Sequence, residues 1–270
     1  MSMILTDENY YSEEANREYM SVSMFKEFAG TYGRPGCQAA QMAKLRGEYS
    51  EEPNTAMLIG SYVDHYFEGT LEQFKQQEPR LFKKDGGLKA DYIHAEDIIK
   101  RIESDDVFMA ALSGRKQVIM TGELFGVPWK IKIDSFLDHQ CIVDLKVIKS
   151  FSESTWVRGM GYLNFGHYWG YDIQGAAYQE IVRQNTGETL PFYLAAATKE
   201  DGVDIGLFEV DPEYLKEAMR LIRKELPDVV KVWRGEKAPE RCGACRYCRM
   251  TKKLTGPKWL STLDEQWMEA

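Results

Sequence analysis

Asp144 and Lys146 stand two apart in the apolar run CIVDLKVIKSF, residues 141–151. On a strand, residues two apart share a face. A carboxylate and an ammonium therefore project side by side from a segment otherwise made of Ile142, Val143, Leu145, Val147 and Ile148. The segment before it, VPWKIKIDSFLD, alternates in the same way, with Trp129, Ile131 and Ile133 on one face and Lys130, Lys132 and Asp134 on the other. A tight turn near 138–140 pairs the two segments and brings Asp134 toward Asp144. Two carboxylates so placed repel unless positive charge lies between them. A hard divalent cation such as Mg2+ meets that need, because it prefers oxygen ligands and is often held by one or two carboxylates plus a substrate phosphate. Lys146 then stands beside the cation, placed to orient or deprotonate a water. A D-x-K pair alone is a common and weak feature of hairpin surfaces, so the reading depends on what accompanies it.

Several residues do. Gln174 and Tyr178, in YDIQGAAYQE, are spaced i, i+4 and share a helix face. Asp64 and His65 are neighbours in GSYVDHYFEG, and Glu123 in TGELFG is a further acid, either near the site or an ordinary strand residue. Of five cysteines, Cys242, Cys245 and Cys248 form a C-x2-C-x2-C run, Cys37 is remote, and Cys141 reads as a core residue of a strand. In a cytosolic chain such a run indicates metal or cluster ligation rather than disulfides. The same stretch, RCGACRYCRMTKK, carries Arg241, Arg246, Arg249, Lys252 and Lys253 with no acid, either a solvated basic face or a contact for phosphate. The aromatics of GYLNFGHYWGY serve packing or stack on unpaired bases. His94, His139 and His167 have no partner that the sequence identifies.

The elements that must position these residues follow from periodicity. Helices are expected over SMFKEFAG, CQAAQMAKLRGEY and 55–74, the last with Thr55 as its N-cap. ADYIHAEDIIKRIESD carries an apolar stripe of Ile93, Ile98, Ile99 and Ile102. YDIQGAAYQEIVRQNTG is a helix stopped by Gly187. A long one over 211–236 has Pro212 in its first turn and Pro227 kinking or splitting it. Strands are expected at KQVIMTGELFG, VPWKIKIDSFLD, QCIVDLKVIKS, PFYLAAATKE and VDIGLFEV, and RGMGYLNFGHYWG reads as a loop. The order predicts one α/β domain around a sheet of about five strands. It has a helical part to about 113, a sheet core over about 114–236 and a Cys-rich tail at 237–270. The 270 residues are 44% hydrophobic and 28% charged, ordinary for a soluble globular protein. A net charge of −8 excludes a surface coated in basic patches but not a local basic groove. No apolar run reaches the roughly 18–20 residues of a membrane span. The start, MSMILTDENYYSEE, lacks the basic region and apolar stretch of a signal peptide. A cytoplasmic protein without membrane contact is expected.

Read in order, G-x-x-x-D-H, I-D, V-D-L-K and Q-x-x-x-Y fall on a predicted helix, strand, strand and helix. This resembles the PD-(D/E)xK nuclease superfamily in its RecB-like and phage-exonuclease branch, nearest to the RecE (exonuclease VIII) type, from about Ser23 to the Cys-rich tail. The resemblance implies a restriction-endonuclease-like core with a central mixed sheet flanked by helices. It puts Asp134 at the "PD" aspartate, with Ile133 in place of proline, and Asp144 at the second acidic position. Leu145 offers its backbone carbonyl to the metal, Lys146 is the catalytic lysine, and Gln174 and Tyr178 support the site and contact DNA. The family's G-x-x-x-H histidine falls, counted from Gly60, on Asp64, with His65 as the alternative ligand if the helix register slips by one. The activity implied is that of a DNA exonuclease dependent on Mg2+ or Mn2+, resecting double-stranded ends in phage or prophage recombination. A single-strand annealing protein is the implied partner, and relatives form homo-oligomers. Some RecB-like nucleases join one early cysteine to a late cluster around a 4Fe–4S centre, and Cys37 with Cys242, Cys245 and Cys248 resembles that set. The late spacing departs from the relatives' C-x2-C-x5-C, so structural Zn2+ on four cysteines is the alternative. Two other functions stand beside the first: an iron–sulfur nuclease of the CRISPR-adaptation type, and a non-catalytic DNA-binding protein on the same fold.

Overall fold

The computed structural model describes residues 3–257 and 259–261. The chain enters through α1 (Glu13–Glu18), α2 (Val22–Ala29), α3 (Gln38–Leu45) and α4 (Thr55–Glu68), followed by α5 (Leu71–Gln77), α6 (Ala90–Glu103) and α7 (Asp106–Ala111). Three strands come next, β1 (Arg115–Leu124), β2 (Val127–Leu137) and β3 (Cys141–Ile148), then a small hairpin of β4 (Ser154–Val157) and β5 (Gly161–Asn164). After α8 (Phe165–Tyr168) and α9 (Tyr171–Thr186) the chain returns to the sheet as β6 (Phe192–Thr198) and β7 (Ile205–Glu209). It ends in α10 (Pro212–Trp233) and α11 (Arg246–Met250).

The main sheet has the order β1-β2-β3-β6-β7. β3 and β6 are parallel, joined across by α9, and the other neighbours are antiparallel. This is the five-stranded α/β sheet that the periodicity predicts, mixed as the resemblance implies. Helices cover both faces. Ile142 packs with α2, α9 and α10 on one side, while Val143 and Leu145 pack with α4, α6 and α7 on the other. A strand buried on both faces reads as a continuous apolar run, which is why Asp144 and Lys146 stand out in β3.

Four local expectations are corrected. The stretch from Arg158, read as loop, instead carries the turn and second strand of a hairpin over 154–164, because Thr155, Trp156 and Val157 favour strand and Gly159 and Gly161 supply positive φ at its turn (both +81°). The helix expected over 55–74 breaks at Gly69, which caps α4 in the left-handed conformation. Its N-cap is Asn54, whose Oδ1 accepts from the Met57 N–H at 2.9 Å, rather than Thr55. Pro227 does not split α10 into two elements. Its buried face of Leu215, Ala218, Ile222, Leu226, Val229 and Val232 continues through the proline, and that packing offsets the lost backbone bond. Of the expected tail, residues 258 and 262–270 lie outside the described residues. Among the described residues no helix is long and apolar enough to cross a membrane.

Candidate active site and cysteine cluster

β2 and β3 pair only at Ser135↔Val143, Phe136↔Ile142 and Leu137↔Cys141. At the next position the ladder stops and a side chain replaces it: the Leu145 N–H donates to Asp134 Oδ2 at 2.9 Å. Further along, β2 takes a different neighbour. The Met20 N–H donates to Pro128 O at 2.9 Å and the Lys130 N–H donates to Met20 O at 2.8 Å. The two strands therefore part like a fork, with Asp134 in the crotch and the N-terminal segment on the outer tine.

Asp144 is 2% exposed. Its Oδ1 accepts from Gln174 Nε2 at 2.6 Å. Its Oδ2 lies 2.5 Å from Lys146 Nζ, yet no donor is aligned with it for a hydrogen bond. Lys146 Nζ donates instead to Leu145 O at 3.1 Å. α4 brings a third carboxylate, Asp64, and one turn on a fourth, Glu68, into the same cleft. His65 faces elsewhere: its Nδ1 is 2.7 Å from Thr70 Oγ1 and its ring stacks on Phe74. The cleft has a volume of about 250 Å³ and gathers Asp64, Asp134, Asp144, Lys146, Gln174 and Tyr178, but not His65. Tyr178 donates its hydroxyl to Lys132 O at 3.0 Å, pinning β2 where it leaves β3.

Burial, and next the charge of Asp144, push the Asp134 carboxyl up to about 7. Burial, and next Asp134, raise Asp64 well above the usual carboxylate range. For Lys146 burial opposes the charge, but Asp144 and Asp134 outweigh it and hold the ammonium above its ordinary value. Lys146 is the cation paired directly with Asp144, and Asp64 and Asp134 crowd the same spot; proteins that carry such carboxylate clusters either bind protons or bind metal. The donors are hard oxygens, and Asp144 Oδ2 is a buried acceptor without a hydrogen bond, so the residues fit a divalent cation of the Mg2+ or Mn2+ type.

Sequence reasoning missed part of this site. Glu68 was legible as the i+4 neighbour of Asp64. Lys26, Gln117, Tyr10 and Tyr11 also line the cleft, and no spacing signals them because they arrive from distant segments. Lys132, on the cleft, is paired with Asp7 at 3.0 Å. Buried Lys130 donates to Tyr10 O and to Asn16 Oδ1. Glu123 is exposed and outside the cleft. The histidines all have partners: His94 is 3.2 Å from Lys199 O, His139 is 2.9 Å from Glu188, and His167 is 3.1 Å from Asp172.

The four cysteines meet at the other end of α2. Cys37 caps α3, and its Sγ lies with those of Cys242, Cys245 and Cys248, all within 4.8 Å of one another. Cys37 Sγ is 3.5 Å and Cys242 Sγ 4.0 Å from Cys248 Sγ. Backbone N–H groups point at the sulfurs: Ala40 donates to Cys37, Cys245 to Cys242 and Cys248 to Cys245, at 3.3–3.4 Å. Burial works against the Cys242 thiolate, but the backbone N–H of Cys245 and its neighbours bring it down to about 7. Burial pushes Cys245 up to about 12 and raises Cys37. Four thiolates cannot coexist there without a cation, and soft thiolate donors fit one.

Residues 21–251 match the family described as PDDEXK-like domain of unknown function (DUF3799). The crystal structure of a protein from Eubacterium rectale named "Putative exonuclease" is 54% identical in sequence, over 97% of this chain and 98% of that one, with a TM-score of 0.95. The crystal structure of SSO0001 aligns over 82% of this chain and 96% of that one at 16% identity, with a TM-score of 0.31, too remote to bear on the fold. No curated protein matches.

Proposed function

The chain belongs to the PDDEXK-like family DUF3799, and from that membership and the forked strands we infer a metal-dependent nuclease that hydrolyses DNA phosphodiesters from an end. The observation that carries the reading is Asp134, Asp144 and Lys146 converging where β2 and β3 part, with Asp64 facing them. The name of the 54% identical neighbour supports an exonuclease over an endonuclease.

Asp64, Asp134, Asp144 and the Leu145 carbonyl would hold the cation. A divalent ion bound there supplies an acidified water and electrostatic stabilisation of the phosphoryl oxygens. Gln174 occupies Asp144 Oδ1 and leaves Oδ2, paired in charge with Lys146 but without a hydrogen bond, as the oxygen for the cation. Lys146, held charged by Asp144 and Asp134, orients the attacking water. When those carboxylates are engaged elsewhere their pull on it weakens, and Lys146 becomes better able to exchange a proton. Tyr178 keeps the fork open, and Lys26 brings positive charge to the incoming phosphate. The test is digestion of linear, nicked and covalently closed DNA with and without Mg2+. Degradation of the linear form alone, abolished by EDTA, supports the reading; rapid cutting of closed circles replaces it with an endonuclease.

End resection in phage or prophage recombination, beside a single-strand annealing protein and as a homo-oligomer in the cytoplasm, rests on likeness to RecE-type enzymes. Sedimentation of the protein alone and mixed with such an annealing protein tests it. For the cysteines the spacing supports the zinc alternative. Thiolates on one tetrahedral ion with Zn–S bonds of about 2.3 Å stand about 3.8 Å apart, near the 3.5 and 4.0 Å seen. In a 4Fe–4S cubane each thiolate binds a different iron and must stand farther off. Elemental analysis of anaerobically purified protein decides: one zinc per chain is expected, and about four irons overturn it.

A further inference from the structure

A second groove opens off the cleft. The two share Ser23 and Lys26, and the second runs on past Arg34, Trp169 and Tyr171 with a volume of about 430 Å³. Tyr171 stands at the junction, its ring centre 5.6 Å from Lys146 Nζ and 5.5 Å from Lys26 Nζ. Beyond it the Arg34 guanidinium lies 4.2 Å from the centre of the Trp169 ring, and Trp169 as a residue is 39% exposed.

The charges here are arranged unlike those elsewhere on the surface. Among the described residues neither Lys26 nor Arg34 pairs with a carboxylate. Lys26 donates to Trp169 O and Gly170 O, and Arg34 rests on a ring. By contrast Lys44, also on the groove, is neutralised by Glu27 and Glu51. Cations without a carboxylate partner, one of them on a part-exposed aromatic ring, suit a ligand with an anionic backbone and a flat ring that shares or displaces that contact.

The platform is also rigid. Gly30 has φ +89°, and a Cβ on it would stand 2.3 Å from Arg34 O, so the loop presenting Arg34 closes tightly on itself. Thr31 Oγ1 donates to Tyr168 O at 2.9 Å. Beneath, buried Asp172 accepts from Tyr32 at 2.7 Å and pairs with His167 at 3.1 Å, tying the loop to α8 and α9.

We propose that this groove binds one unpaired nucleotide of the strand whose phosphate lies in the cleft, with its base stacked on Trp169 and its phosphate charge met by Lys26 and Arg34. The volume suits one nucleotide, being within the roughly 300–1,000 Å³ of small-ligand sites. The inference rests on the nuclease reading and sharpens it. The substrate is single-stranded beside the point of scission, so a duplex end must fray to enter.

The experiment is equilibrium binding of fluorescent oligo(dT) and of blunt duplex in EDTA, where metal-dependent hydrolysis is silent. It compares wild type with Trp169→Ala, Trp169→Phe and Arg34→Gln, each checked for an unchanged melting temperature. Trp169→Ala is expected to weaken oligo(dT) binding about 5- to 100-fold, and Trp169→Phe to restore most of it. Arg34→Gln is expected to weaken binding and to lower the salt slope by about 0.7. Trp169→Phe and Arg34→Gln keep the test decisive if Trp169→Ala does not fold. Unchanged oligo(dT) affinity in the folded variants, or a loss confined to blunt duplex, overturns the subsite. Digestion by the wild type in Mg2+ is scored separately: a protein that digests DNA but shows unchanged variants loses only the subsite, and one that digests nothing loses the nuclease reading and the subsite together.

Discussion

The carboxylate cleft and the cysteine cluster solve one problem in opposite ways. Each brings together ligand atoms from distant parts of the chain, and each crowds like charge. In the cysteine cluster the crowding is met by the backbone, with Cys242 and Cys245 partly buried and the other two thiols closed off. Cys37 and Cys248 are 8% and 3% exposed, and backbone N–H groups already point at three sulfurs. In the cleft the crowding is left open. Asp144 Oδ2 has no hydrogen bond, and Asp134 and Asp64 are pushed toward their protonated forms. Structural metal sites are closed and catalytic ones keep a position free. The difference teaches that the cluster is built to hold α3 to the C-terminal segment, and the cleft to exchange its contents.

The contrast breaks first if a cleft residue proves structural. Asp144→Asn is expected to lower DNA digestion at least about 10²–10³-fold while the melting temperature in EDTA stays the same or rises, because buried like charge is relieved. Activity within tenfold of wild type removes Asp144 from the chemistry. Next in size is the pair Asp64→Asn and His65→Gln in a Mn2+ titration. The first is expected to raise the metal requirement tenfold or more, a scale set by the 10–100-fold effect of metal-site substitutions. The second should leave it unchanged, and the reverse outcome moves the ligand to His65.

On the other side of the contrast, Cys248→Ser is expected to lower the melting temperature on the order of 10 °C, since metal binding there is folding free energy. Digestion by the folded protein at 25 °C should change far less. Equal losses of stability and activity would mean that the two regions are one cooperative site.

The pH dependence sharpens the same point. The folded Asp134 pKa, about 7, lies above the unfolded value of 3.8. The folded state therefore binds more protons between pH 4 and 7, and metal-free stability falls as pH rises through that window. The expected fall is about 1–3 kcal/mol, less than the full shift because Asp134 is partly solvated. Asp134→Asn should flatten the curve measured by urea unfolding in EDTA. The smallest effect is Tyr178→Phe, which removes the bond to Lys132 O and should cost about 1 kcal/mol and a few-fold in rate.

Much of this was legible in the sequence, and the reason is local periodicity. Period two put Asp144 beside Lys146 and Asp134 on the facing strand, and the turn at 138–139 brought the strands together. The helix period set Gln174 over Tyr178 and left Asp64 and His65 as alternatives; in the structure Asp64 lines the cleft, while His65 meets Thr70. Long-range placement was not legible. Nothing in DENYYSEE announces that Tyr10 and Tyr11 line the cleft, or that Asp7 pairs with Lys132. Nor does a strand pattern reveal that Asp134 replaces a ladder bond, since that depends on where two strands part. The β4–β5 hairpin was obscured because its glycines and aromatics also spell a loop.

The central claim is that the cleft is incomplete without a divalent cation held by its carboxylates. The direct measurement is calorimetric titration of Mn2+ near pH 7, in two buffers of different ionisation enthalpy, into wild type and into Asp134→Asn/Asp144→Asn protein. The account predicts binding by the wild type with release of protons, because Asp134 and Asp64 hold them in the metal-free cleft, and no such event in the double variant. Binding of equal strength in both proteins, or none in the wild type, would contradict it.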